Sequence, residues 1–480
     1  MTPAQTTTDP IIHKVRRRTT SRGRARGRDA QRERRQMRAM PRMREVAVDE
    51  AMTSFGGVAG FATFCRERSI DDDIAKAVAG LKVGPAIVYP LERVFASLVP
   101  MAALGMGRVF GFEQLAGDPL VEHVFGGEVP SIDTLYRDLR RVDGAALDAL
   151  EAIANRLALQ VFSTRHGGEA LARGAVVELD VDTSVVERYG TQEGAERGYN
   201  PRARGRRSHH PIACRIGGTQ TLFGVRLRPG NEGLSVVDSD IIAAWVKLIR
   251  RENPGVQVLV RIDSGGDCGE LLEALEDAGA MFLVKLRMTK ALVGTLASVD
   301  AWDVVDRDAD GEPTRRTAEL TFRRDRWPDR PWRTVAVRDE RESGKQRMLW
   351  DDSLDTARAY VTNAPVYTAD ELARLYDKRA GIEPVFADLK GHWTLGACTH
   401  DFDATEAWLL LKLIAQNALT LYAQTRCAPI ARWATPSLRA VLLQIPGRIV
   451  RSARQLTLKL ALRPLLANAS THPNPTHRLE

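Results

Sequence analysis

Long apolar runs are missing from this 480-residue chain. None approaches the roughly 20 residues that a bilayer-spanning helix needs. The first residues also lack the apolar core of a secretory signal, so no membrane partner is expected. Cysteine is scarce: Cys65, Cys214, Cys268, Cys398 and Cys427 lie far apart. That scatter excludes a disulfide framework and a zinc site of paired ligands, and it suits reduced thiols in a cytosolic protein. A glycine-rich phosphate loop followed by lysine is absent, as is any pattern resembling a nucleophilic triad.

What is present begins with charge. The net charge is +8, yet residues 14–44 alone contain fourteen basic and two acidic side chains, or +12. The rest of the chain is therefore about −4 (8 − 12). Such a tail, residues 1–45, cannot bury a core and is expected to be disordered alone. Its expected partner is a nucleic-acid backbone, held by salt-sensitive phosphate contacts. Translation from Met37, Met40 or Met43 would remove it. A hydrophobic content of 44% and a mean hydropathy of −0.25 describe a folded protein, long enough for two or three domains.

Residues 46–165 read as helical, with apolar positions three and four apart near 72–81, 91–103, 112–116 and 144–160. Ser131 can cap a helix whose Thr134, Arg137, Arg140 and Arg141 either face a duplex or form the polar side of an ordinary amphipathic helix. The pattern then changes. Residues 176–185, 212–216 and 221–227 alternate as strands, a helix follows at 235–252, and 256–263 forms an apolar run ending in Asp263. A helix (267–278) and a strand (281–287) complete an α/β order whose first three strands can form a meander. In this frame Asp267, not Asp263, is expected to cap the 267–278 helix. Residues 290–358 are polar and strand-like, and 360–363 return to the main domain. Helices are expected at 404–425 and 436–462.

The most informative stretch follows. Tyr376, Arg379, Glu383 and Lys390 share a helical stripe within roughly 60° of one another, about 21 Å long. A carboxylate flanked by cations and a phenol suits a metal ion gripped beside a phosphate backbone. The plainer alternative is a solvated helix face with an Arg379–Glu383 pair. Pro384 and Gly381 threaten a kink inside this helix.

Those four residues match the Y-x2-R-x3-E-x6-K motif, and the chain thereby resembles bacterial insertion-sequence DDE transposases. The likeness extends over most of 175–395, through Asp182-Thr183-Ser184, Tyr189-Gly190, Tyr199-Asn200-Pro201, His209-His210-Pro211, Leu227-Arg228-Pro229-Gly230-Asn231 and Asp263-Ser264-Gly265. The resemblance implies an α/β fold: an RNase H-like core in two parts (170–289 and 359–430), interrupted by a β-rich insertion (290–358). A helical DNA-binding domain (46–165) would precede it and a C-terminal helical region (431–480) would follow. It also implies Asp182, Asp263 and Glu383 as catalytic ligands of two Mg²⁺ ions, with Mn²⁺ able to substitute. Tyr376, Arg379 and Lys390 would contact DNA. Asp180 and Asp182 lie on one face of a strand, so alternation cannot choose between them; the family's Asp-x-Thr/Ser context favours Asp182. His209 and His210 would either approach phosphates or sit in a solvated loop, and Trp393 would either stack on a base or anchor the helix. The implied protein cuts transposon ends, joins them to target DNA, and works as a homodimer on paired ends in the bacterial nucleoid. A decayed copy that only binds DNA, or a nuclease that never rejoins, are the rivals.

Overall fold

The computed structural model describes residues 50–200, 203–234, 236–340, 357–396, 399–452 and 455–461. The basic tail, Cys398 and most of the last twenty residues lie outside them. The described residues from Ala51 onward cluster as one compact unit.

The helical region contains α1 (Gly57–Glu67), α2 (Ile70–Ala77), α3 (Leu91–Leu104), α4 (Pro119–Phe125), α5 (Ile132–Leu139) and α6 (Gly144–His166). Helices α1 and α4 have no counterpart among the sequence expectations. Asp118 caps α4 with Pro119 at its first position, a start signal that short apolar windows conceal. Ser131 caps α5 as expected, and its hydroxyl accepts from Thr134 N at 3.3 Å. Arg137, Arg140 and Arg141 are exposed, while Arg140 pairs with Asp401 at 2.6 Å.

One nine-stranded mixed sheet organises the remainder. Its strands are β1 (Val176–Thr183), β2 (Ile212–Ile216), β3 (Leu222–Arg226), β4 (Gln257–Ile262), β5 (Met281–Lys285), β6 (Asp303–Arg307), β7 (Pro313–Leu320), β8 (Arg333–Asp339) and β9 (Ala357–Thr362). They lie in the order β6-β7-β8-β9-β5-β4-β1-β2-β3. Only β1–β4 and β4–β5 are parallel; the other pairs are antiparallel. Each parallel step needs a crossover, supplied by α7 (Val236–Glu252) and α8 (Gly269–Asp277). The polar, strand-like segment after 290 opens with a helix, α9 (Lys290–Ala297), and then adds β6, β7 and β8 to the same sheet through β9.

Two further helices carry the motif segment, α10 (Ala369–Asp377) and α11 (Ile382–Gly391), and the long α12 (Phe402–Arg426) follows. Helix α12 is buried along nearly its whole length and shares one apolar core with α1 to α6 and with Ile382, Val385, Phe386 and Leu389 of α11. A second core joins one sheet face to α7 and α8. A third, smaller one sets α10 on the opposite face, against Leu259, Leu283, Val335 and Tyr360.

Of the helix expected at 436–462 only the start forms, a helical segment over 435–443. Beyond it the chain makes a hairpin of β10 (Gly447–Ser452) and β11 (Gln455–Leu460). Pro446 and Gly447 break the helical run, and Leu456 and Leu458 then alternate with polar residues at the two-residue period of a strand. The hairpin also pairs with Met52–Thr53 at the other end of the described chain. Among the described residues no single helix is long and apolar enough to cross a membrane.

Candidate active site

Strands β1 and β4 run parallel with Asp180 opposite Arg261 and Val181 opposite Ile262. The next residues, Asp182 and Asp263, therefore emerge side by side at the carboxyl ends of adjacent strands. Asp182 caps its own end, accepting from Thr183 N at 2.8 Å. Asp263 Oδ1 accepts from Gly265 N at 2.8 Å, which folds the following turn. Asp263 thus caps the 264–266 turn, and Asp267 does not cap the helix expected of it. The carboxylate of Asp267 is held by the Arg324 guanidinium and accepts from Arg287 N at 2.8 Å. Burial pushes the Asp182 carboxyl above the usual range, Arg379 opposes that rise, and the charge of Asp263 adds to it.

Asp180 sits two residues earlier on the same face and is fully buried. Its two oxygens accept from Arg261 Nε and Arg215 Nη1, each at 2.7 Å. Arg261 also pairs with Glu178 at 2.8 Å and donates from Nη1 to the Leu375 carbonyl at 2.6 Å. A strand side chain therefore fixes the end of α10. Neither arginine was singled out from sequence. The available signal was a lone charge inside each apolar strand, Arg215 within Ile212–Ile216 and Arg261 within Gln257–Ile262.

The continuous stripe expected from Tyr376 to Lys390 is interrupted. Helix α10 ends at Asp377, a 3₁₀ turn covers Lys378–Gly381, and α11 begins at Ile382. Pro384 explains the break: it offers no N–H to Ala380 and its ring would clash with that carbonyl, so it fits only a first helical turn. Gly381 is needed here for another reason. A Cβ at that position would lie 2.5 Å from Arg215 Nη1, so the guanidinium bound to Asp180 occupies the space.

The break turns Arg379 into the sheet. Its Nη2 donates to Asp182 Oδ2 at 3.0 Å and to the Val181 carbonyl at 3.1 Å. Tyr376 packs on Tyr360 of β9 with ring centroids 4.5 Å apart. Burial, helped by the charges of Asp263 and Asp182, pushes its hydroxyl up to about 12. Asp377 meets Arg315 at 2.6 Å and Arg358 at 3.3 Å, anchoring the same turn to β7 and β9. Arg287 braces the other wall, donating to the carbonyls of Ser264 at 2.8 Å and Gly265 at 3.1 Å. Sequence reading passed over Arg287, which sits just beyond β5 without a motif around it.

Tyr376, Arg379, Asp182 and Asp263 thus form one cluster. Glu383 is the second residue of α11, a helix that contacts β1, and its side chain is exposed. Lys390 is exposed in the last turn of that helix. Among the described residues no three acidic, histidine or cysteine side chains stand close enough to hold a metal ion. The donor set fits a hard divalent cation in part: two neighbouring carboxylates whose repulsion a cation would relieve, with Glu383 outside the group.

His209 and His210 are buried and do not face solvent. His209 Nδ1 accepts from Arg188 Nε at 2.9 Å, which leaves Nε2–H to donate to the Glu193 carbonyl at 2.8 Å. Burial and the nearby Arg188 charge hold His209 neutral, down to about 4. Trp393 is also buried; it donates to Asp388 Oδ2 at 2.9 Å beneath the Arg439 guanidinium, 4.4 Å from the ring centre. Of its two sequence readings, the helix anchor is the one the structure adopts.

A solved structure of piggyBac transposase, a synaptic complex with hairpin DNA, is similar with a TM-score of 0.41 and 9% identity, over 80% of each chain. No curated protein sequence matches the chain. The sequence profile of the family described as Transposase DDE domain group 1 matches residues 39–469, nearly the whole length, and the chain belongs to that transposase family.

Proposed function

We propose that this transposase cuts DNA at the terminal inverted repeats of its own insertion element and joins the freed 3′ ends to target DNA. The observation that carries the reading is the pairing of Asp182 and Asp263 on adjacent parallel strand ends, with Arg379 of the Y-x2-R-x3-E-x6-K motif bound to Asp182. The meander β3-β2-β1, followed by parallel β4 and β5, supports an RNase H-like core.

Asp182 and Asp263 would hold Mg²⁺, with Mn²⁺ as a substitute, once α11 brings Glu383 to them. The metal supplies a nucleophilic oxygen at neutral pH and charge stabilisation at the phosphodiester. The chain's own residues do the positioning. Arg379 is half spent on Val181, which fixes its guanidinium at the end of β1 beside the reacting phosphate. Tyr376 stays protonated throughout the physiological range and can donate to a phosphate oxygen. Lys390, about two turns along the same face of α11 from Glu383, would take the adjoining backbone. A homodimer would pair the two ends, and the nucleoid of a bacterial cytoplasm would be the place of action.

Cleavage of a labelled duplex bearing the element's terminal repeat tests the reading, with Mg²⁺ and with EDTA, beside Glu383→Ala. Metal-dependent cutting at the repeat boundary that disappears in the variant is expected. The separation of Glu383 from the aspartates favours one alternative, a decayed copy that occupies repeats without cutting. Binding without cutting by folded protein would establish that alternative.

A further inference from the structure

A groove of about 420 Å³ lies behind α11. Its wall uses Pro384, Asp388 and His392, which sit roughly 100° to 180° around the helix axis from Glu383. The groove is therefore separate from the carboxylate cluster. Arg165 from the end of α6 and Arg432 from the segment after α12 line it together. Among the described residues neither has an ion pair with a carboxylate. Burial, and then the Arg432 charge, lower the Arg165 guanidinium from its usual range. Among the described residues, Asp388 is the only acid on the wall. Its Oδ2 already accepts from Trp393 Nε1 at 2.9 Å, Thr435 Oγ1 at 3.0 Å and Gln416 Nε2 at 3.2 Å.

Three buried polar atoms on the same wall have no protein partner: Gln416 Oε1, Gln424 Oε1 and Thr221 Oγ1. Gln416 is 4% exposed and Thr221 1%, so solvent satisfies neither well. Gln416 cannot be turned end for end, because its amide nitrogen is committed to Asp388. The groove thus offers two guanidinium groups for an anion, carbonyl oxygens that want N–H donors, and a hydroxyl. Trp433, 39% exposed, lines it as well. Few ligands combine an anion, N–H donors and a flat face.

We propose that this groove binds one unpaired nucleotide. Its phosphate lies between Arg165 and Arg432, its base stacks on Trp433, and base N–H groups meet Gln416 and Gln424. The chemistry is shared by a nucleotide within a single DNA strand and by a free mononucleotide. The inference rests on the DNA-handling reading above for its use, since strand ends released near Glu383 would need such a holder.

The test measures anisotropy of a short labelled single-stranded oligonucleotide with the full-length protein, Arg165→Ala/Arg432→Ala, Trp433→Ala and Trp433→Phe. All three positions are exposed, and unchanged melting temperatures would confirm folding. Trp433→Ala should weaken binding about tenfold and Trp433→Phe much less, as expected for base stacking. The double arginine variant should lose affinity and salt dependence together. Competition by dAMP with the same sensitivities assigns a free nucleotide; failure of dAMP while the oligonucleotide binds assigns a strand. Equal affinities across the variants, or no single-strand binding by the wild type, would overturn the proposal. Duplex terminal-repeat binding is measured beside it: its retention with no effect of the variants rejects the groove alone, whereas its loss in the wild type rejects the DNA reading.

Discussion

Replacing Glu406 by glutamine should stabilise the protein at pH 8 and leave it unchanged below pH 4.5. Glu406 lies on α12, buried against β3, where Oε1 accepts from Leu227 N at 3.3 Å. The nearest cation, Arg226, stands 3.5 Å away and is shared with Glu151 at 3.3 Å and Asp148 at 2.8 Å. One guanidinium divided among three carboxylates does not offset burial. Desolvation therefore moves Glu406 from an ordinary 4.5 to about 7, with the charges of Glu151 and Asp403 pushing the same way. Between those values the folded protein holds a proton that the unfolded chain has released. Stability is fully present below 4.5 and falls as pH rises through 7. At about 1.4 kcal/mol per pH unit the loss sums to about 3 kcal/mol. Glutamine keeps the oxygen that Leu227 uses and cannot ionise, so it escapes this loss. Urea-unfolding midpoints followed by circular dichroism at pH 4.5, 6 and 8 would show the variant and wild type diverging as pH rises. Parallel curves, or a variant weaker at pH 8, would mean that the Arg226 pairing outweighs burial, and the reasoning would fail.

Asp263→Ala or Glu383→Ala should abolish cutting while leaving terminal-repeat binding intact; retained cutting by either one removes it from the catalytic set. Arg261→Met should cost about 3–5 kcal/mol, because it leaves Asp180 buried beside one cation instead of two and releases the Leu375 carbonyl. A change below 1 kcal/mol in denaturant stability, roughly the scale of an exposed pair, would contradict that role. Gly381→Ala should displace Arg215, 2.5 Å from the new methyl, at a cost of about 1–3 kcal/mol with a matching loss of cutting. Wild-type stability in that variant would show that the turn yields freely. Deleting residues 1–44 should flatten the salt dependence of DNA binding, and an unchanged slope would leave the basic tail without that role.

The sheet was legible because its strands obey a strong rule. Residues 176–183, 212–216 and 257–262 are apolar enough that period and length identify them, and the structure moves their bounds by only a residue or two. The position of Asp263 at a strand end followed from the same pattern, whereas Asp182 was placed inside a strand read to residue 185 and was preferred to Asp180 only through the family resemblance. Less was legible where a single residue overrules its window. Pro384 splits a helix that periodicity runs straight through, and the split is what delivers Arg379 to Asp182. The buried arginines escaped notice because their worth depends on Asp180, 35 and 81 residues away from Arg215 and Arg261 respectively, a separation that no local pattern reports. At the C-terminal end, the run after Thr435 has the composition of a helix, and only the Pro446-Gly447 break with alternation beyond it argues for the hairpin.

The core that α12 shares with α1 to α6 and with α11 has a consequence for synthesis. During translation the helices before residue 166 emerge long before α12, the element that fills their core. Their apolar faces must wait, unsealed, for more than two hundred further residues to leave the ribosome, on the order of ten seconds or more at 5–20 residues per second. The apolar side of α11 waits on the same partners, so the helix bearing Glu383 cannot settle until nearly the whole chain exists. A copy lacking α12 would thus carry Asp182 and Asp263 on their strands with α11 unanchored, and on the proposed function it should fail to cut.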